Sequence, residues 1–441
     1  MHRPGSAGFV VVGVLVAACL SALPSVANAN PPGSSSSPPA VDPNNYASDC
    51  PDLLILAANG GSDSSSDRNL YDDAALDNSL GNLTVAAGAA NSAHPGSLGW
   101  VYVPYASTYG LGVSRVPTYQ EAIAEGVAST NRLLDDNKTA CGDTTKYALV
   151  GYSMGAEVVE RVAVELGHRD GSAHVNADDI AGVALVGDPY RPAGTPSLGA
   201  PGPTGGGFVS AKARDYGALD GKVVSACRVH DISCDAPRNI AILDLALAVL
   251  GQMHFTLLDP LGTVSDLERA AASIAVRAVA EIVSQDDWIE SEESLLDVLI
   301  KVADQTYPVD YDKARGNQLT PGETLKWATG PGWDVIRRKV HSELTGFARD
   351  NSGVPELITK PYIVFGVLQH MGYWKNLDGR YPETAKLVDW ITALAAENRS
   401  DRVAPQPDPG AERGSGGSSS DSEPTAFVGG IEQMQTTPPS K

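Results

Sequence analysis

From residue 51 onward, short unbroken apolar runs alternate with longer stretches whose apolar residues recur every three or four positions. The runs 53–57, 100–105, 147–150, 180–186 and 223–226 predict strands, and 119–134 and 156–166 predict helices. Runs that are apolar throughout, rather than at every second position, belong to strands covered on both faces. Strands that alternate with helices pair in parallel. The fold class is therefore α/β, a parallel sheet flanked by helices. After Cys234 the pattern turns helical. Leu267, Ala270, Ala271, Ile274, Ala278 and Ile282 share one helical face, as do Leu295, Val298, Leu299 and Val302, and again Trp333, Ile336, Val340 and Leu344. Residues 235–361 read as a helical insertion whose apolar stripes pack as ordinary core, form a lid or acyl-chain groove, or do both. An amphipathic helix over about 383–398 closes the domain.

The ends of the chain carry no such periodicity. Met1-His2-Arg3, an apolar stretch over 8–20 and Ala27-Asn28-Ala29 predict a signal peptide over 1–29, with Val16-Ala17-Ala18-Cys19 as an alternative lipid-attachment site at Cys19. Residues 30–47 are Pro/Ser-rich and predict a flexible linker; 401–441 predict a disordered tail. That leaves 48–234 and 362–400 as the α/β domain. Of the 5 cysteines, Cys50, Cys141, Cys227 and Cys234 remain after the signal peptide, an even number that predicts two disulfides in an exported chain. The formal charge of −21 argues against a nucleic-acid partner and gives no reason for adhesion to an anionic membrane. No later segment is apolar for long enough to span a bilayer. The expected location is secreted or at the cell envelope, with the oligomeric state open.

The candidate chemistry starts at Gly151-Tyr152-Ser153-Met154-Gly155, set between a predicted strand and a predicted helix. A serine on so tight a turn is lifted clear of the sheet, and the helix that follows offers free N–H groups where an oxyanion would form. A serine hydroxyl is a weak nucleophile at neutral pH, so a histidine must take its proton and an acid must orient that histidine. On this kind of sheet both partners follow the serine in the chain. Asp231 lies inside Cys227-Arg228-Val229-His230-Asp231-Ile232-Ser233-Cys234, where a disulfide would fix its direction. Asp188, in Gly187-Asp188-Pro189, suits a turn instead. Reading Cys227, His230 and Cys234 as zinc ligands lacks a fourth donor nearby, and neither metal nor cofactor is implied. Among the later histidines, His341 sits beside Arg337, Arg338 and Lys339 on a solvated face. His370, ahead of the final helix, is favoured as base, with His254 as the alternative.

Taken together, Gly-Tyr-Ser153-Met-Gly-Ala, the cysteine-framed Asp231 and His370-Met-Gly-Tyr373 resemble the cutinase family of serine esterases, over about 48–234 and 362–398. The resemblance implies an α/β-hydrolase sheet, with Ser153 as nucleophile, His370 as general base and Asp231 as its orienter. It also implies a bridge between Cys50 and Cys141 beside one between Cys227 and Cys234. The implied oxyanion hole is the backbone N–H of Met154, where the family commonly has glutamine, with Gly61 of Ala58-Asn59-Gly60-Gly61-Ser62. Compact cutinases have only a short connection between acid and histidine. Helices placed there resemble the arrangement in mycobacteriophage esterases that cleave mycolates from arabinogalactan, which implies a bulky lipid ester of the cell envelope as substrate. An acyltransferase using the same residues, and a non-catalytic envelope-binding protein, are the competing readings.

Overall fold

A computed structural model describes residues 50–403 apart from 69–78, 113–114, 200, 210–213, 257–259, 286, 317–332, 360–361 and 375–381. The predicted signal peptide, Cys19, the linker and the tail from 404 lie outside the described residues. In chain order the first elements are β1 (Leu53–Ala58), α1 (Ser79–Ala90), β2 (Leu98–Tyr102), β3 (Leu111–Gly112), α2 (Tyr119–Cys141), β4 (Lys146–Tyr152), α3 (Met154–Gly167), β5 (Ile180–Val186) and β6 (Val223–Ala226). The later ones are α4 (Ala241–Leu250), β7 (Phe255–Thr256), α5 (Pro260–Ser284), α6 (Leu295–Ala303), α7 (Tyr311–Gly316), α8 (Trp333–Asp350), α9 (Val354–Thr359), α10 (Tyr362–Met371) and α11 (Pro382–Val403).

The predicted strands form one 5-stranded sheet in the order β2-β1-β4-β5-β6. All of its pairs are parallel; Leu56 of β1, for example, lies between Val101 and Leu149. The α/β class read from the apolar runs is the observed one. Alternation along β1 shows why those runs are unbroken. Leu54, Leu56 and Ala58 face a core shared with α2 and α3, whereas Leu53, Ile55 and Ala57 face a second core shared with α1 and α11. Each fully buried Leu, Ile or Val contributes about 1.5–3 kcal/mol relative to exposure, so both layers stabilise the sheet. Helix α2 starts at a capping box, with the Thr118 hydroxyl accepting from Glu121 N–H at 3.1 Å and the Glu121 carboxylate accepting from Thr118 N–H at 2.8 Å. Disulfides join Cys50 to Cys141, 91 residues apart, and Cys227 to Cys234, 7 apart.

Between Asp231 and His370 the described residues are mainly helical, with a small core of their own made of Ile274, Ala278, Val298, Val302 and Ala303. The segment leaves and returns at one neck, where Gly353 N–H donates to the Asn239 carbonyl (2.9 Å) and Ile242 N–H to Asn351 Oδ1 (2.7 Å). It is tied to the sheet domain by β7, which pairs with β3 through Leu111–Phe255 and Gly112–Thr256, a ladder too short to leave a sequence pattern. A second tie is ionic: Arg161 of α3 holds Glu157 at 2.8 Å and reaches Asp304 at 3.6 Å. The stripes of α5 and α6 turn inward through Ala270, Ile274, Ala278, Val298 and Val302, with Leu267, Ala271 and Leu295 exposed, whereas that of α8 stays outside. Trp333, Val340 and Leu344 are exposed, and the buried residue of α8 is Lys339. Its ammonium donates to the Ser291 and Glu293 carbonyls at 3.0 and 2.6 Å and lies 4.2 Å over the Trp288 ring, so α8 docks through a satisfied cation rather than its apolar face.

Candidate active site

Between the last residue of β4 and the first of α3 only Ser153 is left to turn the chain. It adopts φ 56°, ψ −121°, a conformation a non-glycine residue holds only when its surroundings impose it. Two neighbours do so: Ser153 N–H donates to the Val186 carbonyl at 2.8 Å, and a Cβ on Gly155 would stand 1.9 Å from the Ala58 carbonyl oxygen. The hydroxyl is thereby presented at the carboxyl edge of the sheet.

His370 lies on α10, a short helix just ahead of the final helix α11. Its Nε2 is 2.7 Å from Ser153 Oγ, and its Nδ1 is 2.9 Å from Asp231 Oδ1 and 3.1 Å from Oδ2. Asp231 is fully buried, and Oδ1 also accepts from Ser233 N–H at 2.8 Å. Tyr373 OH donates to Oδ2 at 2.7 Å. The loop enclosed by Cys227 and Cys234 fixes that carboxylate, and Arg228 inside it reaches the histidine segment, donating to Gln369 Oε1 (3.1 Å) and the Gly372 carbonyl (2.7 Å). Ile232 N–H donates to the Gly366 carbonyl at 3.3 Å.

Tyr152 supports the imidazole from the other side. Its ring stacks on that of His370 at 5.0 Å and 21°, and its OH donates to the His370 carbonyl at 2.6 Å, satisfying an acceptor at the end of α10 that has no intrahelical donor. Burial, then the charge of Asp231, pushes the Tyr152 phenol well above its ordinary range, so it stays protonated. Neither Tyr152 nor Arg228 was singled out from the sequence. The signal available for Tyr152 was its place in the serine motif, and for Arg228 its place within the cysteine frame.

The other candidates have different partners. Asp188 Oδ1 accepts from Tyr190 N–H at 2.9 Å, the turn role its sequence suggests, and burial with the Glu160 charge raises its carboxyl well above the usual range. His254 Nδ1 is 2.7 Å from Asp266 Oδ2 and its Nε2 is 3.4 Å from Glu121 Oε2, at the junction of β7, α5 and α2. His341 is exposed on α8. Cys227 and Cys234 are bonded to one another rather than placed as metal ligands. Met154 is the first residue of α3, where a backbone N–H has no intrahelical acceptor. In the loop after β1, Gly60 packs against the serine, a Cβ there standing 3.2 Å from Ser153 Cβ. Gly61 packs under Tyr109, whereas the Ser62 N–H is occupied by the Ser107 carbonyl at 2.7 Å. On α10, Phe365 and Leu368 are exposed on the helix that bears His370. Among the described residues no helix is long and apolar enough to cross a membrane.

Residues 73–243 match the family model Cutinase. A carboxylesterase Culp6 homolog of Corynebacterium glutamicum is 30% identical over 154 residues, covering 30% of this chain and 49% of the relative, so the chain spans about half the length of that curated protein. Among solved structures, the chain is similar to the catalytic core domain of acetyl xylan esterase from Trichoderma reesei, at 17% identity over 50% of this chain and 98% of that one with a TM-score of 0.31. It is also similar to a cutinase-like protein from Cryptococcus sp., at 19% identity over 43% and 82% with a TM-score of 0.31.

Proposed function

We propose that the protein is a serine carboxylic-ester hydrolase of the cutinase family, whose model matches residues 73–243, in which Ser153 attacks, His370 moves the proton and Asp231 orients the imidazole. The observation that carries this reading is the unbroken hydrogen-bonded line from Ser153 Oγ through His370 Nε2 and Nδ1 to Asp231 Oδ1, at 2.7 and 2.9 Å. Nε2 takes the hydroxyl proton as Oγ bonds to the ester carbonyl carbon. The tetrahedral oxyanion is met by the Met154 N–H at the positive end of α3 and by a donor of the loop after β1, for which Gly61 is the proposed residue. Collapse breaks the bond to the alcohol, which leaves with the proton from Nε2, and the acyl group stays on Oγ. Water then attacks with Nε2 again accepting its proton, releasing the acid and restoring the serine.

The acyl group is proposed to be a lipid chain of the cell envelope, mycolate-like in bulk. The exposed Phe365 and Leu368 on the helix that bears the base support an apolar acyl portion, as does the helical segment, which offers apolar surface that compact relatives lack. Two disulfides support an oxidising, extracytoplasmic location. The test is hydrolysis of p-nitrophenyl esters of increasing chain length beside a Ser153→Ala control. Turnover that falls on the order of 10³-fold or more in the control is expected. Equal turnover by parent and control would refute the nucleophile, and indifference to chain length would refute the lipid assignment.

A further inference from the structure

Within the active site one buried hydroxyl does more than fill space. Tyr373 is fully buried, wedged between the rings of Tyr152 at 5.9 Å and Trp374 at 6.1 Å. Its oxygen accepts from Arg228 N–H at 2.9 Å, which leaves its own proton for Asp231 Oδ2 at 2.7 Å. Oδ1 is shared by Ser233 N–H and the imidazole, whereas among the described residues Oδ2 has the phenol as its sole donor besides the imidazole. The sulfur of Cys234 lies 3.3 Å from Oδ2, but within the disulfide it carries no proton to give. The imidazole Nδ1 faces both oxygens, at 2.9 and 3.1 Å, and the phenol is the donor that holds Oδ2 in that arrangement; without it the carboxylate is free to rotate about Cβ–Cγ. Burial and the Asp231 charge hold the Tyr373 hydroxyl well above the ordinary phenol range, so the donor persists across the working range of an esterase.

We infer that Tyr373 is a positioning residue for the reaction proposed above, acting on His370 through Asp231 by fixing the orientation in which the carboxylate meets Nδ1. Sharing the negative charge with the phenol also lowers the pull of the carboxylate on the Nδ1 proton. Two consequences separate this from packing alone. Loss of the hydroxyl should disturb the orientation of the imidazole, and it should concentrate charge on the face of the carboxylate that the imidazole sees.

The experiment uses the full chain as Tyr373→Phe, Asp231→Asn and the double variant, with p-nitrophenyl butyrate as substrate. In Tyr373→Phe, kcat is expected to fall about tenfold with KM unchanged, the scale of one hydrogen bond to a charged group. The acid limb of the kcat/KM profile should move to higher pH, and the low-field proton NMR signal of His370 Nδ1–H should move further downfield. Added to Asp231→Asn, the same substitution should cost nothing more. A variant that loses thermal stability but keeps the acid limb and the proton signal where they were overturns the inference, as does full additivity in the double variant. If Tyr373→Phe does not fold, 3-fluorotyrosine at position 373 keeps both hydrogen bonds and strengthens the donor; limb and signal should then move the opposite way, and unmoved values overturn the inference equally. If the parent shows no Ser153-dependent turnover, the esterase reading fails, and the proton signal still decides whether Tyr373 governs the Asp231–His370 contact.

Discussion

Gly187 and His370 occupy adjoining space: a Cβ built on Gly187 would stand 2.9 Å from His370 Cε1 and 3.3 Å from Asp231 Oδ2. Gly187 also has φ +58°, which a residue with a side chain adopts at a cost of about 1–2 kcal/mol. Gly187→Ala should therefore lower kcat about 100-fold by displacing the imidazole on the order of 1 Å, while thermal unfolding shows a folded protein of modestly reduced stability. Unchanged kcat in that variant would show that the imidazole can retreat and still work.

The two half-buried histidines should separate cleanly. His370→Ala is expected to remove turnover on the order of 10⁴-fold with the fold intact. His254→Ala takes a partner from Asp266, whose oxygen it meets at 2.7 Å, so it should cost about 1–3 kcal/mol of stability and leave kcat within a few-fold of the parent. The opposite pattern in initial rates and unfolding midpoints would move the base to His254.

The two disulfides should differ in what they protect. Chain-entropy reasoning assigns the bridge across 91 residues about 4.5 kcal/mol and the bridge across 7 residues about 2.5 kcal/mol. Replacing Cys50 and Cys141 with serine should cost more in urea unfolding and little in kcat. Replacing Cys227 and Cys234 should cost less stability but more activity, because that loop aims Asp231. Equal losses of activity would remove the orienting role of the short loop.

Asp188 predicts a pH dependence. Burial first, then the charge of Glu160, raises its carboxyl, and burial raises that of Glu160 against the pull of Arg214 and Tyr216. A carboxyl raised in the folded state binds its proton more tightly there than when unfolded. Its contribution is complete below the unfolded carboxyl range and is lost as pH rises through the folded value. Asp188→Asn, which keeps the oxygen that accepts from Tyr190 N–H, should therefore lose less stability than the parent as pH rises above the ordinary carboxyl range of about 3.9. Identical declines in urea titrations of the two proteins would count against a protonated Asp188.

The sheet was legible because burial on both faces writes uninterrupted apolar runs, and the serine turn because strand, glycine and helix coincide around Ser153. The cysteine frame made Asp231 readable among the acids that follow. Other features left no trace of that kind. The inward face of α8 was not legible because an apolar stripe says only which residues share a side, and the satisfied ammonium of Lys339 takes the inward position. The ladder of β3 with β7 was too short for a period. The supports of the site, Tyr152 on the His370 carbonyl and Arg228 on the Gln369 and Gly372 oxygens, are contacts across more than 140 residues, which spacing along the chain does not encode.

Helix α10 is held along its length by contacts already described: Ile232 to the Gly366 carbonyl, Tyr152 to that of His370, and Arg228 to that of Gly372 just beyond its end. All three anchors belong to the sheet domain or to the acid loop, and none to the helices between Asp231 and α10. The place of the imidazole over Ser153 is therefore set from the sheet domain and the acid loop, by contacts at and beyond Gly366. The alignment of base and nucleophile is thus built by the same parts of the chain that build the nucleophile turn and the acid loop.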